Sequence, residues 1–293
     1  MNRPPTLAEP ATVAQRLAVL LAAGVPPASA WSYVAASTPS EVAGRVAAGV
    51  GIADAIDGIP GVTGDAWRGL AAAWSVATEA GAPLAPALRD YSASLRELGE
   101  VQRDARVALA GPVATARMVL ALPAVGILFG LALGFNTVVT LVATPVGWAC
   151  LAVGGGLLVA AARWNRSLVR GATPTLATPG LACELMAIAM TGGASLDRAR
   201  AITDRAREAY GIGAEDVEGV LELSRRAGVP AAELLRSEAR EARATARAAA
   251  QERAAALAVR LMLPLGLCVL PAFLALGVLP LLLTVVSSTV GGF

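Results

Sequence analysis

Residues 77–92 read ATEAGAPLAPALRDYS, and residues 224–239 read SRRAGVPAAELLRSEA. Six of the sixteen aligned positions are identical, and the shared pattern is an Ala-Gly-x-Pro turn followed five residues later by Leu-Arg. Other short segments recur at nearly the same spacing, including a Leu-Pro at 122–123 and again at 270–271. Self-similarity at a fixed period is typical of a duplicated structural unit. The sequence therefore predicts a tandem repeat whose turns are built by Gly81, Pro83, Gly228 and Pro230.

Two long stretches contain no charged residue, 118–162 and 261–293. A helix needs about 20 apolar residues to cross the hydrocarbon core of a bilayer. The first stretch is long enough for a hairpin of two spans, at about 118–135 and 145–162, and the second for one span within 261–286. The chain is therefore expected to be an all-α membrane protein with three transmembrane helices. Residues 287–293 would form a short tail beyond the last span.

Arginine supplies every basic charge in the chain and clusters on one side of the predicted spans. Arginines precede the first span, follow the second and precede the third, whereas the link between the first two spans and the tail have none. Positive residues are retained in the cytoplasm. This pattern predicts a multi-pass protein of the cell (inner) membrane with its N-terminus in the cytoplasm, its C-terminus outside, and both 1–117 and 163–260 cytoplasmic.

The two cytoplasmic stretches have the pattern of short helices separated by glycine and proline turns. No segment alternates apolar and polar residues with enough β-branched or aromatic side chains to predict a strand. From Leu84 onward, apolar residues recur at 88, 91, 95 and 98, a spacing that lays one stripe along a helix and requires a partner. The expected architecture is two cytoplasmic antiparallel helical bundles, 1–117 and a degenerate second copy at 163–260. The apolar run 17–25 is only nine residues long, and we expect it to be a soluble helix rather than a secretory signal.

The composition argues against an enzyme. The chain has no histidine and no lysine, which removes the usual imidazole base, Schiff-base amine and phosphate-loop lysine. Its three cysteines are scattered and have no metal or redox spacing, so they are expected to be small buried residues, and no cofactor or metal is expected. Acidic pairs such as Glu215/Asp216 are read as solvated or helix-capping charges. A net charge of +2 is too small to indicate a nucleic-acid partner.

Three segments in order resemble the type II secretion system F domain family. They read LAVLLAAGVPPASA at 17–30, GVGIADAI at 49–56 and ATEAGAPLAPAL at 77–88. The resemblance covers nearly the whole chain, including the tandem copies and the three spans. The second copy departs from the pattern: it lacks the middle segment and has Arg226 where the first copy has Glu79. The alanine-rich, arginine-only composition is most similar to the tight-adherence (Tad) pilus branch of that family.

The resemblance implies an inner-membrane platform subunit of a type II secretion or type IV (Tad-like) pilus machine. Such a subunit would couple a cytoplasmic assembly ATPase to the extraction of pilin subunits from the membrane. It would also associate with a paralogous platform subunit or with itself. The charged residues beside the two repeat turns, Glu79, Arg225 and Arg226, are the candidate contacts for the ATPase.

The first predicted span contains Gly126, Gly130 and Gly134, two overlapping G-x-x-x-G frames. Such a face allows close packing of membrane helices, either within the chain or between copies. A transporter or permease subunit is the alternative from another functional class, although the predicted spans contain no ionisable residue for an ion path. A membrane scaffold that works without an ATPase is a third possibility.

Overall fold

The structure is a computed structural model that describes residues 7–132, 145–172, 178–213, 215–280 and 282. All regular secondary structure in these ranges is helical. The chain divides into two compact units. The bundle unit comprises Met1–Arg103 and Thr175–Ala249, and the apolar unit comprises Asp104–Pro174 and Ala250–Phe293.

Eleven principal helices account for most of the described residues. They are α1 (Ala8–Ala22), α2 (Pro27–Ser37), α3 (Glu41–Ala47), α4 (Ile52–Ile56), α5 (Gly61–Ala80), α6 (Leu84–Ala132), α7 (Pro145–Ala172), α8 (Leu181–Thr191), α9 (Leu196–Tyr210), α10 (Glu218–Ala227) and α11 (Ala231–Arg260). Beyond α11 the chain continues through short α and π segments between Met262 and Val278.

The two repeat turns share one backbone geometry. Gly81 ends α5 with φ 71° and ψ 20°, and Gly228 ends α10 with φ 68° and ψ 24°. Both values lie in the left-handed region. Glycine adopts this backbone without strain because it has no Cβ to clash with the neighbouring carbonyl. Each turn is followed by a proline and then by a long helix, α6 in one case and α11 in the other. The repeated phrase thus produces the same local turn twice.

Helices from the two stretches 1–117 and 163–260 share one hydrophobic core in the bundle unit. Helix α5 of the first stretch packs directly against α8 and α9 of the second. The largest fully buried side chains come from both stretches, and they include Leu17, Trp67, Leu70, Leu88, Tyr91, Leu95, Leu185, Met186, Ile202 and Leu235. The sequence predicted two bundles, at 1–117 and 163–260. In the structure, helices from both stretches lie in the bundle unit and contribute to its core.

The apolar stripe on α6 is confirmed. Leu88, Tyr91, Leu95 and Leu98 are all at most 3% exposed, and Leu84 packs at the edge of the core. The Tyr91 hydroxyl, buried with its ring, donates a hydrogen bond of 2.6 Å to the carbonyl oxygen of Ala66 on α5. Burial, with the carboxylates of Glu184 and Asp65, raises the pKa of Tyr91 well above its ordinary value, so the phenol stays protonated as a donor.

Glycine allows the two stretches to approach closely at one point. Gly192, at the end of α8, faces the backbone that links α5 to α6. A Cβ at this position would lie 2.9 Å from both the carbonyl carbon of Ala80 and the amide nitrogen of Ala82, in addition to a closer clash with the Ala80 carbonyl oxygen. Backbone atoms cannot rotate away, so the contact depends on the absence of a side chain.

Two helices among the described residues are long and apolar enough to cross a membrane. They are Pro145–Leu168 and the continuous run Ala231–Val278, whose most apolar windows have mean hydropathies of 1.7 and 2.3. Only 22% and 41% of those windows is buried, which leaves most of their apolar surface for lipid rather than for a protein core. They correspond to the second and third predicted spans. The first, 118–135, extends past the described part of α6, and its crossing stays a prediction.

The third span is irregular where it contains proline. Leu265–Val269 and Leu274–Val278 are π turns, and Pro271 lies between them. A proline ring clashes with the carbonyl four residues earlier in a regular α-helix, and a wider turn relieves that clash. Close packing with α7 occurs at Gly154, where a Cβ would lie 2.9 Å from both methyl groups of Leu276.

Replacing Gly192 by alanine is expected to destabilise the bundle unit by about 1–3 kcal/mol, because the new methyl group meets fixed backbone. The matched control is Gly44→Ala in α3, where a Cβ has open space around it and helix propensity favours alanine. Thermal unfolding in detergent, followed by circular dichroism, compares the two. Equal midpoints for both variants would contradict the close approach of the two stretches.

Candidate functional site: a polar cleft around Glu184

Three helices of the bundle unit enclose a cleft lined by charged side chains. Helix α6 contributes residues from the first stretch, and α8 and α11 contribute residues from the second. The cleft has a volume of about 240 Å³, and its lining residues are Asp90, Ala93, Ser94, Glu97, Glu184, Ile188, Arg236, Ala239, Arg240 and Arg243. It is therefore a polar site formed only when the two stretches pack together.

Glu184 lies at the bottom of this cleft, on a helix whose other residues are almost all apolar. Its side chain is 7% exposed, and that of Arg243 is 9% exposed. The Nη1 of Arg243 donates a hydrogen bond of 3.2 Å to Oε2 of Glu184. The hydroxyl of Ser94 lies 3.2 Å from the same carboxylate oxygen and 3.1 Å from the carbonyl oxygen of Asp90, so its single proton is shared between two acceptors.

Two further ion pairs cross between the long helices α6 and α11. The Nε of Arg243 lies 3.5 Å from Oε2 of Glu97, and the Nε of Arg236 lies 3.8 Å from Oδ2 of Asp90. The acidic residues are seven apart, and so are the arginines. A spacing of seven places both members of each pair on one helix face, two turns apart. The acidic face of α6 thus meets a basic face of α11, and the pairs fix the register of these helices.

The guanidinium of Arg243 is only partly satisfied. Its Nε is buried and makes no hydrogen bond of good geometry, although it lies within ion-pair distance of Glu97. A buried donor without a partner costs free energy, on the order of 1–3 kcal/mol. A small shift of α11 relative to α6 would change the distance between this Nε and the Glu97 carboxylate, so the pair is sensitive to the helix register.

Burial raises the pKa of the Glu184 carboxyl above its ordinary value of 4.5. The Arg243 charge and the Ser94 hydroxyl oppose this change, and the Asp90 charge reinforces it, but the loss of water around the carboxylate outweighs the two favourable contacts. The contribution of a carboxyl group with a raised pKa to the free energy of unfolding is largest at acid pH. It declines as the pH rises through the pKa of the folded state. Glu184 is therefore a buried charge that the fold tolerates only because Arg243 faces it.

The three predicted contact residues lie at the surface, but two of them are already paired. Glu79 forms an ion pair with Arg205 of α9, which ties the end of α5 to the second stretch. Arg225 lies 3.1 Å from Glu218 and 3.2 Å from Glu222, all on α10. Arg226 is exposed, and no ion pair involves it among the described residues.

The glycines of the predicted packing face lie only partly within the described structure. Gly126 and Gly130 are helical positions of α6, and Gly134 lies outside the described residues. Their packing role stays a prediction. The span contact that the structure does describe uses Gly154, which belongs to the Gly154-Gly155-Gly156 run of α7.

Glu215 has a capping role in the bundle unit. Its carboxylate accepts hydrogen bonds of 2.6 and 2.9 Å from the backbone N–H groups of Gly180 and Ala182 at the start of α8. Negative charge is favourable at a helix N-terminus. Asp216 similarly accepts hydrogen bonds from the first N–H groups of α10, at 3.2 and 3.3 Å. The pair predicted to be solvated or capping charges is thus a pair of helix caps.

The described residues give no sign of bound-metal or thiol chemistry. They contain no group of three or more side chains able to hold a metal ion. All three cysteines are free, and burial, with the nearby carboxylates of Glu215, Glu238 and Asp216, raises the pKa of the Cys183 thiol to about 11. A thiol that stays protonated at neutral pH is a poor nucleophile. Cys183 therefore acts as a core side chain.

Sequence reasoning missed the cleft, because the charged pairs join residues about 146 positions apart. A signal was present: α6 and α11 are both long helices, and one carries acidic residues at 90 and 97 while the other carries arginines at 236 and 243. Complementary charges at the same spacing predict pairing between two helices. Nothing in the sequence indicated that Glu184, within an apolar helix, would meet them.

One family model matches the chain, described as Type II secretion system (T2SS), protein F, over residues 13–132. The matched segment covers α1 to α6, including the turn at Gly81. It ends where the described part of α6 ends, and it does not include residues 163–260. No curated protein and no solved structure gives a match.

Glu184→Gln is expected to gain thermal stability relative to the unmodified protein as the pH rises from about 4.5 towards 8. Glutamine resembles the protonated carboxyl in both the folded and the unfolded chain. The variant therefore avoids the cost of ionising the buried group, which grows as the pH rises. Unfolding midpoints at a series of pH values measure the difference. A difference that stays constant over this range would contradict the raised pKa of Glu184.

Proposed function

Because residues 13–132 match the family model of type II secretion system protein F, we propose that the chain is an inner-membrane platform subunit of a secretion or pilus assembly machine. In its finer form, the proposal assigns it to a type IV pilus of the Tad kind. There it would couple a cytoplasmic assembly ATPase to the extraction of pilin subunits from the bilayer. The family match is the observation that carries this proposal, and a membrane location follows from it together with the two apolar helices.

The shared core supports a position on the same side of the membrane for both stretches. Helix α5 can pack against α8 and α9 only if both stretches lie on the same side of the membrane. The segment between them must then cross the bilayer an even number of times. This requirement agrees with a hairpin formed by 118–135 and 145–162, and with the arginines that flank it.

Two helices run without interruption from the bundle unit into the apolar unit, which suits a mechanical role. Helix α6 begins at Leu84 in the bundle unit and continues for 49 residues, more than twice the length that a bilayer requires. Helix α11 spans the second boundary, and its chain continues directly into the third apolar segment. A helix is stiff along its axis, so a displacement of the bundle would be carried into the membrane segments.

The exposed face of α10 is the proposed docking surface for the ATPase. Leu223 on α10 and Val229 in the turn that follows it are 55% and 41% exposed, and Arg226 near the end of α10 is also exposed. An apolar centre with an arginine at its edge is the composition of a protein contact rather than of a solvated face. The role of Arg225, held by two glutamates of its own helix, would be to order this face, and Arg226 would make the direct contact. Glu79, paired with Arg205, would have a structural role.

Charge reversal of Arg225 and Arg226 to glutamate is expected to reduce capture of the cognate assembly ATPase at least tenfold. The new carboxylates would repel the acidic partner surface that an arginine contact requires. Capture on the detergent-solubilised, full-length protein measures the effect. Reversal of two exposed arginines elsewhere in the bundle unit, Arg103 and Arg198, is the matched control and should leave capture unchanged. Equal capture of the ATPase by both double variants would contradict the proposed docking surface.

The topology can be tested separately from the partner. In a chain whose native cysteines are replaced by alanine, cysteine introduced at Ser32 or at Ala201 samples the first and second stretches. Both positions are exposed in the bundle unit. Both should resist a membrane-impermeant maleimide in intact cells and react after permeabilisation. Labelling of either one from outside would contradict the shared cytoplasmic core.

A further inference from the structure

We propose that a cavity in the apolar unit binds the phosphate headgroup of an anionic phospholipid. The cavity has a volume of about 370 Å³ and lies between the end of α7 and the end of α11. Its lining residues are Ser167, Leu168, Glu252, Arg253, Ala256, Leu257 and Arg260. All of them belong to the same unit, so the cavity does not depend on how the two units are arranged.

The charges in the cavity match a phosphodiester. Arg253 and Arg260 are two turns apart on one face of α11, and Leu257 is buried between them. Both arginines are exposed, and neither forms an ion pair with a carboxylate among the described residues. Two arginines and the single carboxylate of Glu252 leave one positive charge, which complements the single negative charge of a phosphodiester. Guanidinium groups bind phosphate oxygens through paired N–H donors.

The cavity lies where charge reappears at the ends of two apolar segments. On α7, the uncharged stretch ends at 162, and Ser167 and Leu168 follow it. On α11, Arg260 is the last charged residue before the uncharged stretch that starts at Leu261. Basic pockets between membrane helices at the cytoplasmic surface are suited to lipid headgroups, since that leaflet is rich in anionic lipid. Trp164, 41% exposed on the same part of α7, is the kind of side chain that lies at this boundary.

The apolar part of the lining favours a lipid over a free phosphate ion. Leu168, Ala256 and Leu257 supply the apolar part of the cavity lining, and the uncharged stretch of the third span starts at Leu261, directly after Arg260. A headgroup held by the arginines would place its acyl chains along the apolar surface of that span. A free phosphate ion has no acyl chains and would gain no binding free energy from this apolar surface. This inference rests on the membrane location and not on the ATPase partner.

The test titrates the purified full-length protein in a neutral detergent with short-chain phosphatidylglycerol, with short-chain phosphatidylcholine and with sodium phosphate, and measures Kd by calorimetry. The unmodified protein is expected to bind phosphatidylglycerol at least tenfold more tightly than either of the others. The double variant Arg253→Gln/Arg260→Gln should lose about 25-fold in affinity, from roughly fivefold for each arginine. The control double variant Arg103→Gln/Arg198→Gln, with the same loss of charge in the bundle unit, should bind as the unmodified protein does.

Glu252→Gln provides the opposite change and keeps the proposal falsifiable if the double variant does not fold. Removing the carboxylate should tighten phosphatidylglycerol binding several-fold, which an unfolded or damaged cavity would not do. Unchanged affinity in this variant, or in a folded double variant, would overturn the site. Sodium phosphate binding as tight as that of phosphatidylglycerol would overturn the lipid assignment. Because the measurement contains no ATPase, its failure would leave the platform proposal untouched.

Discussion

The contact of α5 with α8 and α9 is the constraint on which the rest of the molecule depends. It joins segments of the chain that are more than a hundred residues apart and that are separated by a long uncharged stretch. The contact requires backbone to approach backbone at Gly192 and leaves no room for a side chain there. Because both segments must be in the same compartment to meet, the core also restricts how the chain between them can cross a membrane. The packing of this core therefore also constrains the membrane topology of the chain.

Within that core, the polar cleft supplies specificity rather than simple stability. A buried ion pair recovers little of what its two groups lose on leaving water, but it strongly disfavours any arrangement that separates them. Glu184 meets Arg243, and Arg243 also reaches towards Glu97, so one arginine from the second stretch connects to acids of both. Sliding α11 along α6 would separate these charges and leave Glu184 and Arg243 buried without partners. The cleft therefore holds the two long helices in one register, and these are the helices that continue into the apolar unit.

Much of the architecture could be read from the residue pattern. The apolar spacing on α6 predicted the face that is buried, because a helix brings positions 88, 91, 95 and 98 to one side. The Ala-Gly-x-Pro phrase marked two turns, because glycine is the residue that adopts a left-handed backbone without strain. The uncharged stretches marked the apolar helices, because charge is costly in a bilayer. Glu79 and Arg225 were predicted as candidate contacts for a partner, and their ion-pair partners, Arg205 on α9 and the glutamates of α10, become visible only in the folded chain.

The sequence by itself determined the helical class, the positions of the turns and the segments apolar enough for a membrane, because each of these depends on neighbours within a few turns of one helix. Tertiary structure decided that helices of the stretches 1–117 and 163–260 share one unit, that Glu184 is buried against Arg243, and that Arg253 and Arg260 border a cavity beside α7. Those outcomes depend on which faces meet across long separations in sequence. Local pattern carries no information about such distances, and only close packing of complementary surfaces selects among the many pairings that the same faces would allow.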